Sequence, residues 1–81
     1  NYITGAEKGQ PISGAKYEVR TDFDENTEVT KDNFSNGKLV DTLVTDKNGN
    51  TKTLTVGKGT YYVKEVFVPD GWKLDEKMYL K

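Results

Sequence analysis

Cysteine and histidine are both absent from the 81 residues. The first absence excludes disulfides and thiolate metal sites, and the second excludes catalysis through imidazole. A domain of this size commonly relies on a disulfide or a bound metal. Here the core must suffice, or neighbouring domains must help, or another crosslink must exist. The net charge is −1, with lysines and acids interspersed, so no electrostatic case exists for nucleic acid or an anionic membrane surface. No apolar run approaches the length that crosses a bilayer. A starting Met, a signal peptide and a lipidation motif are missing too, and the chain reads as a piece of a longer, processed protein. There is no Ser-His-Asp, Cys-His, phosphate-loop or dinucleotide motif, so neither turnover nor a cofactor is expected.

What is present is rich in Thr, Val, Tyr and Gly, without strong helix periodicity. Short β-prone runs separated by Gly, Asn and Asp predict an all-β chain. Strands are expected at 2–5, 15–21, 38–45, 51–56, 60–67 and 77–81. "DKNGN" (46–50) is a hairpin signal, because Asn and Gly accept positive φ. "VPDGW" (68–72) is a second turn: Pro69 sets φ and Gly71 closes the bend. "GQPISGA" (9–15) joins the first two strands. Residues 22–36 are polar and poorly periodic, and read as a long, dispensable loop with room for a short strand or helical turn. Phe23, Val29 and Phe34 could pin that loop to the body. Six or seven short strands at this spacing suggest one Ig-like β-sandwich over 1–81. The expected core is Ala15, Tyr17, Val19, Leu54, Val56, Tyr61, Val63, Met78 and Leu80, joined by Leu43 or Val44.

The stretch "GTYYVKEVFVPDGW" (59–72) poses a problem for that core. Side chains alternate along a strand, so Tyr61, Val63 and Glu65 share a face. From alternation alone, Glu65 is either a partly solvated carboxylate near the strand end or an inward acid.

Three blocks taken together are more specific: "GQPISGAKYEV", "TDKNGNTKTLTV" and "GTYYVKEVFVPDGW". They resemble the Cna B-type (SpaA-like, prealbumin-like) domains of Gram-positive surface proteins. Members read as G-x-P-L-x-G-A-x-F-x-L, then T-D-x-N-G, then G-x-Y-x-L-x-E-x-x-x-P-x-G-Y. Gly9, Pro11, Ile12, Gly14, Ala15, Tyr17 and Val19 match the first block, and Thr45, Asp46, Asn48 and Gly49 the second. Gly59, Tyr61, Val63, Glu65, Pro69, Gly71 and Trp72 match the third, with Trp in the usual Tyr place. The resemblance implies a prealbumin-like sandwich and a structural role. That role is a spacer or stalk unit of an adhesin or pilin, extracellular and attached to the cell wall of a Gram-positive bacterium. Its partners would be neighbouring domains of the same chain, with no membrane contact of its own. Two alternatives are a ligand-binding module for a host matrix protein or glycan, and an accessory sandwich of a secreted carbohydrate-active enzyme.

The resemblance also gives Glu65 a role. It falls on the family's "E-box" acid, which in many members assists a spontaneous amide between a Lys on the first strand and an Asn or Asp on the last. Burial favours the neutral amine nucleophile, and enclosure holds the groups at high effective concentration. This sequence departs from the pattern at both other positions. Thr4 replaces the isopeptide Lys, and Lys8 lies in the following turn. No Asn follows Asn50, and Asp75 precedes the last expected strand. The bond is therefore expected to be absent, with Glu65 free to hydrogen-bond Thr4 or a backbone carbonyl. A Thr–Gln ester has only Gln10, in the first turn, to draw on.

The remaining candidates have plain readings. Tyr61, Tyr62, Trp72 and Tyr79 could build a sugar platform, but Tyr61 reads as core, Trp72 as turn packing, and Tyr62 and Tyr79 as exposed strand residues. Asp22, Asp24, Glu25 and Glu28 lack the glycine and spacing of a calcium loop and read as solvated, so no metal site is expected. Asn33–Phe34–Ser35 fits a glycosylation sequon by chance.

Overall fold

A computed structural model of the chain describes residues 12–81 and, before them, the backbone of Tyr2–Ile3. The protein is all-β. Its main element is a four-stranded antiparallel sheet in the order β3-β2-β5-β6, formed by β2 (Lys16–Thr21), β3 (Lys38–Val44), β5 (Tyr62–Phe67) and β6 (Met78–Leu80). A second sheet pairs β1 (Tyr2–Ile3) with β4 (Leu54–Thr55), also antiparallel. The strands lie where the β-prone runs predicted them, mostly trimmed by a few residues at their ends.

Alternation sorts the main sheet into two faces. On the inner face Leu43, Tyr17 and Glu65 form one row, and Asp41, Val19, Val63 and Tyr79 the next. Ala15, Tyr17, Val19, Leu43 and Val63 are buried there and touch one another. Leu54, Val56 and Tyr61 pack against them from the β4 side, and Ile12, Val68 and Tyr79 complete the cluster. The ambiguity at 43–44 is resolved: Leu43 is fully buried and Val44 is half exposed.

Two expectations about the core are corrected. Leu80 is 63% exposed, because it pairs with Tyr62 on the outer face. Met78 also faces outward, opposite Lys64, and Tyr79 takes the inward place. Tyr79 is thus half-buried against the core, where an exposed residue was expected.

The loop 22–36 lies on the outer face and contains a 3-10 turn, Phe34–Asn36. It was expected to be dispensable, but Phe34 is only 4% exposed. The Phe34 ring sits 5.6 Å from the Arg20 guanidinium and 6.0 Å from the ring of Phe23, which meets Tyr62 edge-on at 5.2 Å. Arg20 also donates to the carbonyls of Ser35 (3.3 Å) and Gly37 (2.8 Å). A small second core therefore covers the end of the outer face.

The turn motifs have local causes. Asp46 Oδ1 accepts the N–H groups of Asn48 (2.8 Å) and Asn50 (3.1 Å), and Gly49 has φ +80°. Gly71, with φ +91°, closes the turn in which Trp72 N–H reaches Pro69 C=O at 3.2 Å. L side chains rarely adopt either conformation, hence glycine at both positions. Thr45, just before the Asp46 turn, is buried and ties the end of β3 to the segment that leads into β2. Its hydroxyl accepts from Ala15 N–H at 2.9 Å and donates to the Ile12 carbonyl.

Candidate functional site

Glu65 is placed by β5 on the inner face, 3% exposed, between β2 and the segment leading into β6. Its Oε1 accepts the backbone N–H of Asp75 at 2.8 Å. On its other side stands Tyr17, its register partner, whose buried phenol feels the charge of the carboxylate. Asp75 continues the chain of contacts: its Oδ1 accepts Lys77 N–H at 3.0 Å and its Oδ2 accepts the Tyr79 hydroxyl at 2.9 Å. Glu65, Asp75 and Tyr79 are thus linked by hydrogen bonds into one part-buried polar cluster, with the Tyr17 phenol beside Glu65. No buried side-chain nitrogen or oxygen among the described residues is left without a partner. That accounts for an acid inside so small a core, since a buried polar group is tolerated when its hydrogen bonds are made.

Among the described residues Glu65 therefore accepts the Asp75 N–H. Thr4, Lys8 and Gln10 lie outside the described residues. Asp75 precedes β6, as the sequence suggested. Among the described residues no ion pair joins a lysine to Glu65 or Asp75. Lys64 is buried on the opposite face, its Nζ donating to the Glu65 carbonyl at 3.1 Å.

The Tyr17 phenol is held well above its ordinary pKa. Burial is the largest cause, followed by the nearby Glu65 carboxylate, then by Asp75 and Tyr79. A folded-state pKa above the unfolded value means that the folded form keeps its proton longer. The associated stability is present in full below the unfolded phenol's pKa of 10.0 and is lost as pH rises beyond it. Urea unfolding from pH 8 upward should show stability falling above about pH 10. Tyr17→Phe should flatten that fall relative to its own neutral value. An equally steep fall in Tyr17→Phe would show that other groups cause it.

The candidates set aside in the sequence are dispersed. Tyr61 and Tyr62 alternate to opposite faces, Trp72 lies beyond the far end of β5, and Tyr79 turns inward, so no aromatic platform forms. Asp24 is occupied with Asn26 N–H and the Thr27 hydroxyl. Asn33, in the sequon, bonds through its side chain to Thr30 N–H and the Glu28 carbonyl.

The partners of Glu65 were not predicted. Tyr17 reads as an ordinary core residue, and the apolar Met78 and Leu80 point to the wrong face of β6. The only available signal was Asp75 with a tyrosine four residues on.

Residues 4–80 match the family model of the SpaA prealbumin-like fold domain. The chain belongs to that family. No curated protein and no solved structure matches it significantly. For a SpaA-family domain the inward Glu65 falls on the position that the sequence motif assigned to the family acid. Here its described hydrogen-bond partner is the Asp75 backbone, with Tyr17 as its strand neighbour.

Proposed function

We propose that this SpaA-family domain is a structural spacer, a stalk unit of a cell-wall-anchored adhesin or pilin on a Gram-positive bacterium. The observation that carries this reading is the family match across residues 4–80. On this reading the two sheets belong to one prealbumin-like sandwich of six to seven strands, and the domain's partners are its neighbours in the same chain. It performs no turnover. Its contribution is reach, since the folded unit measures up to 37 Å along its longest axis. The test is replacement, in the parent surface protein, by an unrelated domain of equal length. Adhesion should be retained. Loss of adhesion, together with retention by this domain alone of a matrix protein or glycan in a binding screen, would favour the ligand-binding alternative.

The second part of the proposal is that no intramolecular isopeptide bond forms. Thr4 carries only a hydroxyl where the family bond needs an amine. Asp75, the nearest aspartate to the last strand, is engaged with Lys77 and Tyr79. The intact mass should equal the sum of the residue masses plus one water, as for an uncrosslinked chain. A deficit of one ammonia or one water that disappears in Glu65→Ala would overturn this. The polar cluster around Glu65 is then a noncovalent substitute for the crosslink.

A further inference from the structure

The strand β6 is short, lies at the sheet edge among the described residues, and brings only Tyr79 into the core cluster. Met78 and Tyr79 are half-buried, and Leu80 is largely exposed. Polar contacts hold it at both ends. At its end Lys81 N–H donates to Tyr61 C=O at 2.8 Å, and Tyr61 N–H to Lys81 C=O at 3.1 Å. Before its start Asp75 N–H is bound by Glu65, while the Asp75 carboxylate holds Lys77 N–H and the Tyr79 hydroxyl. Glu65 itself sits on a strand paired on both sides, beside Tyr17.

We propose that Glu65, Asp75 and Tyr79 form a latch on β6, and that weakening it lets β6 leave β5 as a unit while the rest of the sheet stays closed. An edge strand with one side chain in the core has little hydrophobic free energy to hold it, so its opening equilibrium is set by its hydrogen bonds. The latch binds the segment before β6 to a carboxylate on β5 and joins Tyr79, within β6, to the same segment. The strand and its lead-in thus close or open together. One consequence rests on the spacer reading, whereas the latch itself does not: tension entering through residue 81 peels β6 from its Lys81 end, and the latch is where peeling stops.

The ladder supplies an internal control. Successive residues of a central antiparallel strand direct their N–H and C=O groups to opposite neighbours. Tyr61 bonds Lys81, so Tyr61 and Val63 face β6, whereas Tyr62 and Lys64 face β2. Amide hydrogen exchange followed by NMR on the whole chain reads both sets at once, in the natural sequence, Asp75→Ala and Tyr79→Phe. In the variants the amides of Tyr61, Val63, Tyr79 and Lys81 should exchange roughly tenfold faster, the effect of losing one or two hydrogen bonds. Those of Tyr62 and Lys64 should keep their protection. Equal acceleration of the two sets would mean global opening, and no change in either would mean that packing alone holds β6. Either result overturns the proposal. Tyr79→Phe removes one hydroxyl and keeps the ring, so it decides the matter even where Asp75→Ala does not fold. Failure here leaves the spacer reading untouched, because domain replacement tests that separately.

Discussion

Leu43→Ala should destabilise the domain by about 2–5 kcal/mol, the range for emptying a fully buried leucine site. Leu43 is 0% exposed, and with Val19 it is one of the two largest side chains buried completely. It reaches Tyr17 from β3, the edge strand of the sheet. A small domain has a total stability of roughly 5–15 kcal/mol, so this one substitution removes a large share. The neighbouring Val44→Ala should stay within about 0.5 kcal/mol, since Val44 is half exposed. Urea unfolding of the two variants is a paired test. Equal losses would mean that β3 pairs one residue out of register, because a one-residue slip exchanges the two faces.

Phe34→Ala comes next, with an expected loss of about 3–5 kcal/mol. A polar loop is an unusual place for so large an effect. Phe34, however, is buried to the same degree as Tyr17 of the core, both at 4% exposure. Its ring covers the Arg20 guanidinium and stacks on Phe23, and Arg20 holds the loop's carbonyls. Removing the ring exposes the outer face of β2 and β5 and loosens Phe23 as well. The close fit leaves a second signature at Gly37, where a Cβ would collide with the Phe23 ring. Gly37→Ala should therefore also destabilise, although its φ of −75° suits any residue. Thermal unfolding of Phe34→Ala and of a variant with 22–36 shortened to a tight turn checks both claims. Unchanged midpoints would return the loop to the role of a dispensable connection.

Much of the fold was legible in local patterns. Alternation in "KYEVRT" and "YYVKEVF" places Tyr17, Val19, Val63 and Glu65 on one face, because a strand has a period of two and little else fits. The turns at Gly49 and Gly71 were readable because positive φ has a chemical signature in Gly and its neighbours. Glu65 could be located for the same reason as Val63: it shares that residue's parity.

A period of two does not say which parity faces the core. In "KLVDTLV" and "KMYLK" both parities carry apolar side chains, and hydropathy leaves a tie. Pairing with Tyr17 broke the tie for Leu43. The bond from Tyr79 to Asp75, with Val63 opposite, accompanies the inward turn of Tyr79 and the outward turn of Leu80. The loop 22–36 was legible only in part: Phe23 and Phe34 stood out as residues that could pin it, but not the surface they cover. Its anchors, Phe23 and Phe34, have no periodic relation to each other. Only the outer face of β2 and β5, assembled from residues far along the chain, gives them something to cover. The strands and the turns depend on neighbours within a few positions, and so does the face that Glu65 shares with Val63; that this face turns inward came from the family motif and the fold. The tertiary structure alone decided the partners of Glu65, the facing of β6 and the burial of the loop, since each depends on contacts between residues distant in sequence.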